Sequence, residues 1–564
     1  MAENPKNPER QRERTVSLHE GAVQRNVPWL LTESQAQELI NMEIDDLGER
    51  RRRGGSRAFG GVFNVNPPGG LAGYNNADYD EFLLGVWGHH FYYSDADGAW
   101  LQTACAVSLI SGLLHQVVEG RQGGDLAWAA CTCEEVTETS LGINGRSQLV
   151  IHNIVQDAET QVSLAPRCIA PFQNRLFYAE GELVGWSELG DLGAFSDVNN
   201  ILVEPGIGGE ITALLPARDT DPRLWVFKED AIFIFSPRWG TEGGFIADVV
   251  AGDALDTINS SVRTLSRNIG CVATKSIVWV PGAEQADVFF LARDGVRSLS
   301  RAEQDVQVGA GFPVSWNISD WIERINFAMA HKAVASVFDN AYHLAVPLDG
   351  ARDNTHVLRY DIRNKAWTLH TIEARDLSNF RLAGEDRFWM QNRFPSADTS
   401  VTAGITDPSE AVYQVYSLYV GDLEPSTSIT YPRRVEMSES SRSYSMQEPL
   451  IKKSWDYFTV ELSSAETSAL EVAYRSDQGG WNQLTEIYIA GTEGTIIFGQ
   501  DALPWQSSPD ITRRKSFHLG EIQPSYHLQI RLATPTGATE TGKLKIYFSE
   551  ITATLKTDKF TNDE

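Results

Sequence analysis

The sequence predicts an all-β chain: an irregular β-propeller followed by a C-terminal β-sandwich-like domain. Three observations predict it. Pairs of aromatic and aliphatic runs recur around short polar turns, Gly/Asn/Asp/Pro turn signals punctuate residues 57–425, and after about 450 the runs alternate apolar and polar. Short runs of β-formers around a tight turn read as hairpins, and hairpins returning along a chain mark a radially repeated architecture.

The first hairpin is Phe82-Leu83-Leu84-Gly85-Val86-Trp87, a Gly88-His89-His90 turn, then Phe91-Tyr92-Tyr93. Arg175–Tyr178 with Leu183–Trp186, Leu224–Phe227 with Ala231–Phe235, and Val288–Leu291 with Val296–Leu299 repeat the pattern. Further units begin near residues 342 and 380. A spacing of roughly 40–60 residues suits a four-stranded blade and gives about five to seven blades. Trp87, Trp186 and Trp225 are expected to pack between blades, since large flat rings fill such interfaces. The run Val357–Asp361, a polar turn and Trp367 resembles a kelch-type strand-turn-strand. There Asp361 would accept turn N–H groups and Trp367 would pack between blades. A regular kelch scaffold would repeat this signature, and it occurs once.

The domain plan is an N-terminal arm with a short helix (1–56), the propeller (57–425), a linker (426–450) and the sandwich-like domain (451–564). Residues 1–15 read as disordered. Thr32 or Ser34 is placed to cap a short helix carrying Ala36, Leu39 and Ile40. A second helix is expected over 320–326, capped by Ser319. Glu436–Ser443 reads as a linker or exposed loop.

Composition narrows the function. With 48 Lys+Arg against 75 Asp+Glu the net charge is −27. Such a chain does not hold nucleic acid by neutralising phosphates; its acidity suits either a channel that DNA slides through or plain solubility. The five cysteines, Cys105, Cys131, Cys133, Cys168 and Cys271, form no even framework and fit a reducing compartment. The polar N-terminus has no signal-peptide core, and no stretch is apolar enough for a membrane helix.

No catalytic, metal or cofactor site is expected. His89 and His90 point to opposite faces of a turn, and Cys131-Thr132-Cys133 lacks zinc-ribbon spacing. Ser94–Trp100 and Ser476–Trp481 resemble the Asp-box turn of sialidases with the register off by one. Arg50, Arg51, Arg52 and Arg53 form a basic run in an acidic chain. They are the candidate contact with acidic groups on a neighbouring subunit, ahead of nucleic acid because nothing aromatic interleaves them, against the plain reading of a solvated basic strand end.

Three segments carry a resemblance. Asn26–Leu31 with Gln37–Met42 and Gly48–Gly55, then Asn174–Asp191, then Arg223–Phe235 are similar to β-propeller tail proteins of short-tailed bacteriophages. These are the nozzle, tail tubular or packaged-DNA stabilisation proteins. The departures are Trp29 after the proline and the length of the arginine run. The resemblance implies a structural virion protein and no enzyme. It implies a homo-oligomeric, commonly hexameric, ring that extends the portal–adaptor channel. It also implies that the ring retains packaged dsDNA, conducts it at ejection without binding it specifically, and docks fibres or spikes. The implied location is the virion tail, assembled in the host cytoplasm. The alternative is a glycan-binding or glycan-hydrolysing propeller for receptor recognition.

Overall fold

The computed structural model describes residues 10–555 apart from 16, 46–47, 64–66, 76–79, 95–96, 104–108, 110, 124, 135–147, 155, 157, 219–221, 240–260, 283–285, 302–310, 394–412, 421–422, 425–432, 465–467, 478, 490–494, 499–500, 505–512 and 536–543. Cys105, two residues of the first Asp-box-like turn, part of the expected linker and the polar tail lie outside the described residues.

Seven antiparallel blades form a closed ring. Blade 1 opens with Pro68–Asn75, blade 2 with His115–Gln122, blade 3 with Cys168–Phe172 and blade 4 with Ile211–Pro216. Blade 5 has three described strands from Val278–Val280, blade 6 begins at Val334–Phe338 and blade 7 at Ala374–Leu382. Opening strands touch the next one around most of the ring. Between blades 4 and 6 the contact passes through the turn Thr274–Ser276, and the strand of blade 7 returns to that of blade 1. The ring is fastened by Ser56–Phe63, which pairs antiparallel with Tyr413–Leu418 as the outer strand of blade 7 before the chain enters blade 1.

Period-two alternation explains the packing. In blade 2, Ala127, Ala129 and Cys131 face blade 3, while Trp128 and Ala130 face blade 1. Trp87 packs against Trp389 and Leu382 of blade 7, Trp186 against Phe233 and Phe235 of blade 4, and Trp225 against Val288 and Phe290 of blade 5. Trp367 is buried against Tyr360, and its Nε1 donates to the Val314 carbonyl at 3.2 Å. Asp361 Oδ1 accepts the Asn364 N–H at 2.8 Å, as the turn chemistry requires. Asp361→Ala is expected to cost about 1.5–3 kcal/mol, read as a lower urea midpoint at an unchanged m-value.

The C-terminal domain is a two-sheet sandwich that incorporates the N-terminal segment. One sheet runs Arg513–His518, Lys453–Ser464, Leu544–Leu555, Arg50–Arg52, Met42–Ile44. Arg10–Thr15 pairs with Thr15↔Ser549 through Arg10↔Thr554 on the same edge of Leu544–Leu555, so residues 10–15 are a strand and not a disordered tail. The other sheet runs Asn482–Ile489, Ser468–Ser476, Leu528–Ala533, Ser438–Tyr444, Glu38–Ile40. It continues through the parallel pairing of Ile40 with Leu369 into blade 6, giving one nine-stranded sheet across both domains. One hydrophobic core spans the joint, from Phe289 and Tyr342 in the blades to Trp455 and Ile551 in the sandwich.

Four expectations are corrected here. The short helix expected to carry Ala36, Leu39 and Ile40 is absent. Pro28–Leu30 is a single 3-10 turn, followed by the strands Gln35–Ala36, Glu38–Ile40 and Met42–Ile44. Ala36, Leu39 and Ile40 match helical spacing, but sheet edges on both sides supply the backbone partners, and Asn41 sits at φ 53°, which no helix tolerates. Ser438–Tyr444, read as linker, is a buried strand. The arm is not a separate unit. The second helix forms at Ser319–Glu323, with Ser319 inside the helix instead of capping it.

Candidate functional site

The basic run lies at the seam between sandwich and propeller. Strand alternation turns Arg50 and Arg52 inward and Arg51 outward. Arg50 is fully buried, and its Nη1 donates to Glu439 Oε1 at 2.7 Å, tying one sheet of the sandwich to the other. Burial raises the Glu439 pKa, and the Arg50 charge only partly opposes it. Arg51 is half exposed and pairs with Glu43 at 2.9 Å. Arg53 is buried, with Nε on Asn41 Oδ1 at 2.8 Å and Nη1 on the Gly54 carbonyl at 3.0 Å.

Asn41 is the hub of this seam. Its backbone N–H donates to Leu369 O at 2.7 Å, and its Nδ2 donates to Thr371 Oγ1 and to Glu436 O. Its Oδ1 also accepts the Thr371 N–H at 2.8 Å. One side chain thus joins blade 6, the strand after the propeller and the arginine run. Three of the four arginines foreseen as an intermolecular contact are therefore engaged inside the chain. Arg51 alone keeps its guanidinium substantially in solvent.

A second charged cluster lies near the propeller axis. Lys275, at the start of blade 5, donates to Asp376 Oδ2 of blade 7 and to the His115 carbonyl of blade 2 at 3.3 Å. Blades 5 and 2 are not neighbours, so this side chain reaches across the centre of the ring. Asp376 is fully buried and also accepts the Leu71 N–H of blade 1 at 2.7 Å. Burial pushes His115 down to about 4, so its imidazole is neutral.

Beside it, Glu134 accepts Arg375 Nη2 at 2.7 Å and the Leu114 N–H at 2.9 Å, with Lys332 Nζ at 3.8 Å. Asp353 meets Lys332 at 3.2 Å and Arg375 at 3.4 Å. Burial works to raise the Glu134 pKa, but Arg375, Lys332 and the Leu114 N–H together hold it below the ordinary carboxylate value. These groups clasp blades 2, 6 and 7 by satisfying one another.

Among the described residues no three His, Cys, Asp or Glu side chains converge as metal ligands. His89 Nδ1 is spent on the Leu109 carbonyl at 2.6 Å. Asp477 Oδ1 accepts the N–H groups of Tyr526 and His527, tying its own loop to a remote one. Sequence reasoning missed Asn41, Glu439, Glu134, Arg375, Lys275 and Asp376. The available signal was charge at inward positions of alternating segments, as in Ser-Glu-Ser-Ser-Arg over 438–442.

No protein-family model and no curated protein sequence matches the chain. Solved structures similar to it include virginiamycin B lyase from Staphylococcus aureus, at 10% identity over 63% of this chain and 95% of that one, TM-score 0.31. An ancestral GH74 enzyme matches at 9% identity over 68% of this chain and 50% of that one, TM-score 0.36. The WD40 domain of SCAP from fission yeast matches at 11% identity over 74% and 94%, TM-score 0.26. The blade count and ring closure given above follow from this chain's own strand pairing.

Proposed function

We propose that this chain is a structural subunit of a short-tailed bacteriophage tail, a nozzle-type protein that assembles as a ring and extends the portal–adaptor channel. One observation carries the reading. The segment that holds the first part of the resemblance, residues 26–55, is the lacing of the molecule: it supplies strands to both sheets of the sandwich and, through Asn41 and Arg53, the joint to blade 6. The residues shared with that family are thus residues of a body plan, in keeping with a scaffold whose work is to hold shape under load.

Lys275 crosses the propeller centre, so DNA would not pass through a single propeller. The conduit is the space enclosed by several copies, and the net charge of −27 keeps that space free of footholds for phosphate. Arg51 is the member of the basic run available to an adaptor or a neighbouring copy.

Negative-stain electron microscopy of the purified full-length chain, alone and mixed with a cognate adaptor, tests this. Rings with a central lumen are expected. A monodisperse monomer that stays monomeric with the adaptor overturns it, and a monomer that binds or cleaves glycans replaces it with a glycan-active propeller.

A further inference from the structure

A cavity of about 220 Å³ lies at the seam, between blade 6, Tyr419 at the end of blade 7 and the strand Arg50–Arg52. Its mouth is marked by Arg51 and Asp339, both exposed. Its depth is lined by Arg52, His343 and Arg359.

His343 and Arg359 are direct cross-strand partners in blade 6 and stand on the face turned toward blade 7. The row on one side, Val334, Ala345 and Val357, ends in His370, and the row on the other side, Phe338 and Ala341, runs into Asp361. His343 and Arg359 sit in a polar row, Ser336–His343–Arg359–Thr368, that crosses the blade beside the apolar cluster of Val334, Ala345 and Val357.

Two atoms here lack partners among the described residues. Arg359 is 6% exposed, and its Nη1 is buried with no hydrogen bond. Its Nη2 lies 3.6 Å from Asp361 Oδ2, which leaves Nη1 as a spare charged donor. His343 is 1% exposed, and its Nε2 is buried with no hydrogen bond. His343 Nδ1 lies 3.1 Å from the Ala341 carbonyl. A carbonyl only accepts, so Nδ1 carries the proton and Nε2 is a spare acceptor. Burial holds the His343 pKa well below its ordinary value, so the ring stays in that neutral tautomer at pH 7.

The lining charges are Arg51, Arg52 and Arg359 against Glu43 and Asp339. Three arginines stand against two carboxylates, so the lining carries a net positive charge within a strongly acidic chain. A buried orphan donor or acceptor costs about 1–3 kcal/mol, so a spare charged donor beside a spare acceptor calls for an occupant offering both complements. A hydrogen-phosphate group does so: it has anionic oxygens and a P–OH.

We propose that this cavity binds a hydrogen-phosphate group, as inorganic phosphate or as the singly protonated monoester of a small molecule. Arg359 Nη1 takes one anionic oxygen, Arg51 and Arg52 supply the surrounding positive charge, and His343 Nε2 accepts the P–OH proton. Sulfate, fully ionised, presents no hydrogen to His343.

Isothermal titration of the full-length protein with inorganic phosphate, O-phosphoserine and sulfate at matched ionic strength tests the proposal. Saturable phosphate binding is expected, with sulfate weaker by about tenfold. Binding of phosphate alone assigns the free anion, and binding of phosphoserine at equal or higher affinity assigns a monoester. Arg359→Gln should weaken phosphate by at least about tenfold. His343→Phe should erase the preference over sulfate. Should Arg359→Gln lose its fold by circular dichroism, Arg51→Gln at the exposed mouth serves instead, with a loss of about threefold. No saturable phosphate binding, or phosphate affinity unchanged in both Arg51→Gln and His343→Phe, overturns the site.

Discussion

Glu439→Ala is expected to remove about 3–5 kcal/mol of folding stability, because it strands the Arg50 charge in the middle of the sandwich. Arg50 is fully buried and Glu439 is 2% exposed, joined by a 2.7 Å hydrogen bond. Arg50 Nε and Nη2 and Glu439 Oε2 have no hydrogen-bond partner among the described residues, so the pair is incompletely satisfied. The desolvation cost is then poorly repaid, in line with the raised Glu439 pKa. The double variant Arg50→Met/Glu439→Leu should therefore recover most of the loss, since well-packed apolar replacements of buried ion pairs are often neutral or better. Guanidinium denaturation of the three proteins measures both effects. Equal destabilisation of single and double variants would show that the pair itself carries the stability. The pH response follows from the sign of the shift. A carboxyl whose folded pKa lies above the unfolded value of 4.5 favours folding most fully below 4.5, and that contribution is lost as pH rises through the folded pKa.

The propeller hairpins were legible because each carries its evidence locally. Arg175–Glu180 and Leu183–Ser187 are joined by a two-residue turn, and their aromatic faces announce burial on both sides. Lys453–Ser464 and Leu544–Leu555 were legible for a similar reason, being long strands with alternating faces. The seam was not legible. Met42–Ile44 and Arg50–Arg52 are three-residue strands, too short to show a period, and Arg50–Arg52 takes its second partner near residue 545. Ser438–Tyr444 hides its burial behind polar residues whose partners are remote: Glu439 meets Arg50, and Arg442 meets Glu13 at 3.1 Å. A run of four arginines reads as surface because the sequence cannot announce that Glu439 and Asn41 wait inside. The axial clasp was hidden for the same reason, since Lys275, His115 and Asp376 meet only once the ring has closed.

Arg375→Ala is expected to open the adjoining clasp of Glu134, Lys332 and Asp353, at a cost of about 3–5 kcal/mol near pH 7. Arg375 is buried and holds Glu134, Asp353 and the Gly112 carbonyl at once. Without it, Glu134 keeps Lys332 at 3.8 Å and the Leu114 N–H, which do not balance a buried carboxylate. The pH dependence separates this loss from a simple packing defect. In the native chain the Glu134 pKa is lowered from 4.5. Its contribution is therefore present above 4.5 and lost as pH falls through the folded pKa. In the variant the chief attraction is gone, burial prevails, and the pKa moves above 4.5, so acidification now relieves the buried charge. The stability gap between the two proteins should narrow as pH falls from 7 toward 4, measured by urea unfolding at a series of pH values. A gap that stays constant across that range would mean that Arg375 acts by filling space. Glu439 and Glu134 thus pull in opposite directions on acidification. The seam tightens where the Glu134 clasp loosens, and acid unfolding should begin at the clasp, where blades 2, 6 and 7 are held together by charge.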